Sequence, residues 1–414
     1  GSTVVPDGPD NKYGAGQIRL PAPPSAAPPI VPAAYQPLTP IRILDTRAGA
    51  PGSSPLGATL PTHGIIDVAI AGAGVVPASA SAVAVNITST DASRDSFIQA
   101  VPYLRSPYGA SSTLNIAAAG AVKPNFAIVP IGAEGKISLY VVPGGNIIID
   151  VLGYFAPAAP TSAAGRFVAI DPVRTLDTRT ATLVPPGWTA HIPTGESVVV
   201  PRAATVPTIG VSALVLNVTS SDARSAGFLR AEPTGSSPST STVNYVADAA
   251  SSNTVIVPLG ADGTVSVFTN AGSHIVVDIT GYITDASAPV AASGLFVPIA
   301  TGRAYDSRFD PLGALPSGDI RSVQLAGATA VLASIPVGTA SLSINLTATD
   351  ETAPGFLTAY PAGAAVPATS TLNYLSQQPV ANGALLKLSA GGALSVLALQ
   401  RTHFLIDVNG YFTS

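Results

Sequence analysis

An all-β fold of three tandem, homologous, jelly-roll-like sandwich units behind an extended Pro-rich arm is predicted by three observations. The first is self-similarity. Arg42-Ile-Leu-Asp45-Thr-Arg47 returns as Arg174-Thr-Leu-Asp177-Thr-Arg179 and as Arg303-Ala-Tyr-Asp306-Ser-Arg308, with the Asp residues 132 and 129 positions apart. Repetition at a long fixed period is the mark of repeated structural modules. The second is alternation. Ala82-Val-Ala-Val-Asn-Ile-Thr places Val83, Val85 and Ile87 on one face, as a strand requires. The third is punctuation: Gly, Pro, Ser and Asp interrupt the apolar runs every 8–12 residues or so, the spacing of short strands and turns, and no window carries a helical period.

The arm comes first. Residues 1–34 belong to no repeat, and stretches such as Leu20-Pro-Ala-Pro-Pro-Ser-Ala-Ala-Pro-Pro favour extended polyproline structure over a packed core. Ile18, Leu20, Ile30 and Val31 flank the Pro-rich stretch as apolar anchors. The arm is therefore expected to be ordered and to lie along a neighbouring subunit, adding to an exposed sheet edge. The lack of Met, even at position 1, is expected of a processed or recombinant chain, with Gly1-Ser2 as a cloning remnant.

Unit 1 is expected over 35–155, unit 2 over 167–283 and unit 3 over 296–414. Each opens on an aromatic seven residues before its first Arg: Tyr35, Phe167 and Phe296. Each closes on Ile149-Asp150-Val-Leu-Gly-Tyr154-Phe155 or its partners, Val277-Asp278-Ile-Thr-Gly-Tyr282-Ile283 and Ile406-Asp407-Val-Asn-Gly-Tyr411-Phe412. Between these ends Asn86, Asn217 and Asn345 correspond, as do Ser112-Thr-Leu-Asn115, Ser241-Thr-Val-Asn244 and Ser370-Thr-Leu-Asn373, and then Asn125, Asn253 and Asn382. About eight strands per unit suit a sandwich. The expected core of unit 1, separate from those of its neighbours, includes Val83, Val85, Ile87, Ile148 and Phe155. A single propeller with two blades per unit is the rival architecture. The Ala/Pro/Ser-rich joints Ala156–Gly165 and Thr284–Gly294 are short enough to hold neighbouring units close.

Taken together, the Arg-x-x-Asp-Thr-Arg start, the Leu-Asn-Val-Thr centre and the Asp-Val-x-Gly-Tyr-Phe end resemble repeats of secreted and surface proteins of actinobacteria and related Gram-positive or filamentous bacteria. The resemblance spans about nine tenths of the chain. It implies an extracellular setting, with no catalytic role and no assigned ligand. The third copy departs most, with Tyr305 for Leu and Ser307 for Thr.

The charges point to the candidate site. Twelve of the 42 charged residues stand in the recurring motifs: Arg42, Asp45, Arg47, Arg174, Asp177, Arg179, Arg303, Asp306, Arg308 and the three closing Asp residues. On an extended strand Asp45 and Arg47 share one face and Arg42 takes the other. One reading is a structural network, with each Asp bound by Arg and backbone N–H groups where a unit's first and last strands meet. The other is a ligand cleft in which Arg grips a carboxylate or sugar hydroxyls. Asn86-Ile-Thr88, Asn217-Val-Thr219 and Asn345-Leu-Thr347 match the N-glycosylation pattern. They lie inside strands, so the Asn side chains are expected to satisfy neighbouring backbone groups. Asp91, Asp222 and Asp350 follow these strands and read as turn caps, with calcium as the rival.

Composition removes several functions. A net charge of −4 with only 10% charged residues speaks against nucleic acid and anionic membrane as partners. Without Cys there are no disulfides, thiolate metal sites or Cys nucleophiles. No apolar run is long enough to span a membrane as a helix. The four His residues form no metal motif, and no nucleophile elbow or Walker loop is present. The chain is thus expected to be a non-enzymatic, secreted or cell-surface structural protein with neither cofactor nor metal. It is expected to self-associate into a homo-oligomer, filament or sheath through its arm. The alternative is a glycan-binding adhesin or cell-wall-targeting module, though sparse aromatics weigh against sugar stacking.

Overall fold

The structure, a computed structural model, describes residues 31–49, 59–104, 108–180, 184, 191–328 and 335–414. The arm residues Ile18, Leu20 and Ile30 lie outside these, and so does the expected course of the arm. Val31 is half exposed, and the first strand begins at Ala33, two residues ahead of the expected boundary.

Val31–Ser414 is one compact body of 24 strands. Among the described residues there is no α-helix, only the 3-10 turn Ala133–Gly135. Unit 1 runs from β1 (Ala33–Asp45) through β2 (Gly64–Ala69), β3 (Ala82–Thr90), β4 (Ser96–Pro102), β5 (Leu114–Ile116), β6 (Lys123–Pro130) and β7 (Lys136–Val141) to β8 (Asn146–Pro157). Its strands pair in the orders β1-β8-β3-β6 and β2-β7-β4-β5. Two antiparallel four-stranded sheets in this order are a jelly roll.

Unit 2 repeats the pattern. Its strands are β9 (Phe167–Asp177), β10 (Ser197–Val199), β11 (Val211–Ser221), β12 (Gly227–Pro233), β13 (Val243–Tyr245), β14 (Ser251–Pro258), β15 (Val265–Thr269) and β16 (His274–Thr284). Unit 3 follows with β17 (Phe296–Asp306), β18 (Ile320–Gln324), β19 (Ser341–Thr349), β20 (Gly355–Pro361), β21 (Leu372–Tyr374), β22 (Val380–Lys387), β23 (Ala393–Ala398) and β24 (His403–Phe412). Their sheets take the corresponding orders. The propeller is overturned: among the described residues no blade is formed, and every unit has two facing four-stranded layers, with one layer of unit 1 and one of unit 3 joined into a single eight-stranded sheet where β1 meets β17.

Alternation explains the packing. Val83, Val85 and Ile87 of β3 enter the core of unit 1 with Ile147, Ile149 and Val151 of β8. The opposite face of β3 carries Ala82, Ala84, Asn86 and Thr88, all buried, although no second sheet of unit 1 covers it. Units 2 and 3 cover it instead. A shared apolar core joins Tyr35, Ala84, Phe126, Ile128 and Phe155 of unit 1 to the core of unit 2 and to Phe296, Leu385 and Phe412 of unit 3. Phe155 therefore belongs to this common core rather than to unit 1 alone, and Ile148 is buried without joining the unit 1 cluster. A sheet covered on both faces needs apolar residues on both, and hence unbroken runs such as Ile147–Ile149.

An aromatic cluster forms one end of the common core. Tyr35 and Phe155 are cross-strand partners with ring centroids 4.9 Å apart. Phe155 meets Phe296 at 4.5 Å, Phe296 meets Phe412 at 5.2 Å and Phe412 meets Phe167 at 4.6 Å. The backbone closes the same circle: Tyr35 N–H donates to Gly165 O, Phe167 N–H donates to Gly294 O, and Ala33 pairs with Phe296. These three acceptor or pairing residues each stand two positions before a unit's opening aromatic.

Candidate site at the seams between units

The recurring polar residues build the seams. In each unit a bulge falls between the first motif Arg and the residue two positions on, at Arg42/Leu44, Arg174/Leu176 and Arg303/Tyr305. The extra residue changes which side its neighbours face. This corrects the expectation that Arg42 points away from Asp45. Arg42 Nη1 lies 3.3 Å from Asp45 Oδ2, while its Nε and Nη2 donate to both oxygens of Asp150 at 2.9 and 3.2 Å. Arg47 donates its backbone N–H, Nε and Nη2 to Asp45 at 3.2, 2.9 and 2.7 Å.

The arrangement recurs. Arg174 holds Asp278 through Nε at 2.8 Å and Asp177 at 3.4 Å, and Arg179 holds Asp177 at 2.8 and 2.7 Å. Arg303 holds Asp407 and Asp306, each at 2.6 Å, and Arg308 holds Asp306 at 2.9 and 2.7 Å. Within each unit, then, the three opening-motif residues form a charge-assisted cluster that the first Arg ties to the closing Asp of the last strand. Burial alone would raise the Asp45, Asp177 and Asp306 carboxyls. The adjoining Arg groups more than offset it and hold all three below the usual range. Burial prevails at Asp150, Asp278 and Asp407, which are held above it.

The six Asn residues bind across the seams. Asn253 Nδ2 donates to Asn86 Oδ1 at 2.8 Å, Asn382 Nδ2 to Asn217 Oδ1 at 2.9 Å and Asn125 Nδ2 to Asn345 Oδ1 at 3.0 Å. The Oδ1 atoms of Asn253, Asn382 and Asn125 accept from the backbone N–H of Phe126, Thr254 and Gly383, at 2.9, 3.1 and 2.9 Å. Asn86, Asn217 and Asn345 donate onward to Ser241 O, Ser370 O and Ser112 O at 2.7, 2.6 and 2.6 Å. Unit 1 binds unit 2, unit 2 binds unit 3, and unit 3 binds unit 1. The ring is closed and every member is satisfied, which is what a buried polar network needs to be stabilising. These Asn side chains do satisfy backbone groups: those bound by Asn86, Asn217 and Asn345 belong to another unit, while Asn125, Asn253 and Asn382 also donate to Thr113 O, Thr242 O and Thr371 O of their own.

Smaller recurrences fall into place. Thr46, Thr178 and Ser307 of the opening motifs meet Asn146, His274 and His403 at 3.2, 3.1 and 2.9 Å. Either an amide or an imidazole serves there, so His is replaceable by Asn. Asp91, Asp222 and Asp350 sit at φ of 55°, 51° and 56° in turns. Asp91 accepts from Thr90 and Asn146 side chains and Asp222 from Ser221, rather than from their own backbone. Among the described residues no group of three His, Cys, Asp or Glu side chains is placed to hold a metal ion.

Beside the network lie two clefts in equivalent places. One, of about 240 Å³, is lined by Arg174, Arg179 and Thr219 of unit 2 and by Phe356, Ser370 and Asn373 of unit 3. The other, of about 290 Å³, is lined by Arg303, Arg308 and Thr347 of unit 3 and by Phe97, Ser112 and Asn115 of unit 1. Sequence reading overlooked the Phe. Phe97, Phe228 and Phe356 each follow Asn86, Asn217 and Asn345 by 11 residues, and each pairs across to Asn115, Asn244 or Asn373. That fixed spacing was the available signal.

No protein-family model matches the chain, and no curated protein matches it either. Among solved structures it is similar to a chain described under the triple jelly roll fold and turret assembly in an archaeal virus. The identity is 11%, the coverage 93% of this chain and 91% of that one, and the TM-score 0.16. It is likewise similar to a chain of the Sulfolobus turreted icosahedral virus, at 10% identity, 93% and 92% coverage and a TM-score of 0.16. Likeness at that score carries no argument about this chain, whose jelly-roll assignment rests on its own strand order.

Proposed function

We propose that the protein is a non-catalytic structural protein of the extracellular space or cell surface, a preassembled three-lobed block that joins others of its kind. One observation carries this reading: the Arg and Asp residues of the recurring motifs and the six recurring Asn of the ring are engaged in holding strands and units together. The closed Asn ring and the Arg–Asp clusters give rigidity to the block. Self-association is drawn from the sheet edges. Among the described residues the second and fifth strands of every unit have a single hydrogen-bonded neighbour, whereas the sixth strand's outer side is covered by other units. Such an edge accepts an added strand, and the segment offered to it is the arm as far as residue 32, since Ala33 and Ala34 pair with β8 of their own chain. Contact of the arm of one molecule with the edge of the next is head to tail and propagates.

Electron microscopy and analytical ultracentrifugation of the full chain and of a chain lacking residues 1–32 test this. The full chain is expected to form oligomers or filaments, and the shortened one single three-lobed particles with unchanged β circular dichroism. Equal assembly of both, or none by either, sinks the self-association.

A further inference from the structure

We propose that the clefts at the seams are binding sites for a neutral saccharide residue, repeated around the block. The inference goes beyond the structural role and does not depend on it. The polar lining is held rigidly in place. Arg179 gives its backbone N–H, Nε and Nη2 to Asp177, and Arg308 does the same with Asp306, so both Nη1 groups keep donors free of partners among the described residues. Both Arg side chains are about two-fifths exposed, at 40% and 42%. Thr219 and Thr347 line the same clefts, and their Oγ1 atoms are buried and have no partner among the described residues. Their residues are only 5% and 3% exposed. A buried hydroxyl without a partner costs free energy, and a ligand hydroxyl restores it once the Thr side chain turns toward the cleft.

The opposite wall comes from the next unit. Asn373 uses one end of its amide on Ser370 Oγ at 3.3 Å, and Asn115 one end on Ser112 Oγ at 3.0 Å, leaving the other end of each. Phe356 and Phe97, half-buried, supply one apolar surface per cleft. A small cleft with fixed donors and acceptors on one side and a single aromatic on the other fits a ring carrying hydroxyls on its edge and C–H groups on its face. At 240 and 290 Å³ the clefts fall below the roughly 300–1,000 Å³ of drug-sized sites, so one sugar residue of a longer chain is the fitting occupant.

Charge selects the class. Each pair of guanidinium groups is matched by two carboxylates, Asp177 with Asp278 and Asp306 with Asp407. The Coulomb field at the cleft is therefore close to balanced, and a sugar acid gains little from it. Units 1 and 2 carry the third set: Arg42, Arg47 and Thr88 on one side and Phe228, Ser241 and Asn244 on the other. The bond from Asn86 to Ser241 O fixes the two sides together.

The test is saturation-transfer-difference NMR on the full chain with the methyl glycosides of glucose, galactose, mannose and N-acetylglucosamine, and with glucuronate and galacturonate. At least one neutral glycoside is expected to bind and the uronates to bind more weakly. Combined Phe97→Ala, Phe228→Ala and Phe356→Ala substitution is expected to weaken binding about tenfold, as loss of an aromatic contact implies. A second variant, Thr88→Val, Thr219→Val and Thr347→Val, keeps shape and removes only the hydroxyls, and is expected to weaken binding with the thermal midpoint held or raised. Binding of uronates alone, binding of no neutral glycoside, or binding indifferent to both variants overturns the proposal. None of these outcomes touches the structural role, which is read by assembly.

Discussion

Asp177 is 4% exposed and accepts from Arg174 and from both the backbone and side chain of Arg179. Removing a carboxylate so placed takes from Arg179 the partner of its amide and guanidinium and leaves Arg174 with Asp278 alone. Asp177→Ala is expected to lower stability by about 3–5 kcal/mol, the usual cost of removing one partner of a buried pair. Urea unfolding measures it, and a neutral result would mean that water replaces the carboxylate without loss. The sign of the pH dependence follows from the shifts. Asp177 titrates below its ordinary value, so the unfolded chain binds more protons there. Its contribution is present above the unfolded pKa of about 3.9 and is lost as pH falls through the lower folded value. Asp278 is shifted upward, so its contribution is present at low pH and fades as pH rises through its raised folded value. The stability gap between wild type and Asp177→Asn should therefore widen between about pH 3 and pH 6. The gap between wild type and Asp278→Asn should narrow over that range. Urea midpoints at the two pH values decide it; gaps that do not move would contradict both shifts.

At the scale of the element, the closing strands show how much the sequence disclosed. The alternation of β3 and the recurrence of the opening and closing motifs were legible, because each is local or falls at the two ends of one unit. The seams were not. Asn86 meets Asn253 across 167 residues, and recurrence of both is equally compatible with bonds inside each unit. Only the burial of Ala84 and Asn86, on the face opposite Val85, shows that another unit must lie there. The Gly of Asp-x-x-Gly-Tyr is a second such case. A Cβ at Gly153, Gly281 or Gly410 would collide with the ring of Tyr35, Phe167 or Phe296 lying over the last strand. The opening aromatic and the closing Gly thus form one contact, split between the ends of each unit. Gly383 carries a related constraint, since a Cβ there would strike the Phe126 carbonyl of another unit. Gly383→Ala must push two backbones apart, a form of overpacking that costs about 1–3 kcal/mol or more. It is expected to lower the thermal midpoint although Ala is the better residue in an ordinary strand; an unchanged midpoint would show that the seam yields.

The whole molecule is three jelly rolls made one by their contacts. Unit 1 keeps an apolar cluster of its own, as does unit 3, but Phe155, Phe296, Phe412 and Phe167 interlock across all three. If one unit opened alone, it would expose these rings and leave partners unpaired on both neighbours. Asn253 would lose Asn86, and Asn345 would lose Asn125. Each stranded group costs about 1–3 kcal/mol in addition to the exposed apolar area. Those penalties fall on the partly open states and not on the fully folded or fully unfolded ones, so they suppress independent melting. The block is expected to unfold in a single calorimetric transition whose van't Hoff enthalpy approaches the calorimetric enthalpy. The joints are secondary to this. Cleavage within 156–165 is expected to leave both fragments bound in one particle on gel filtration, because the ring of Asn contacts and the aromatic cluster do not run through the joint. Three separated transitions, or fragments that part on cutting, would mean that the units are held by their tethers and that the seams contribute little.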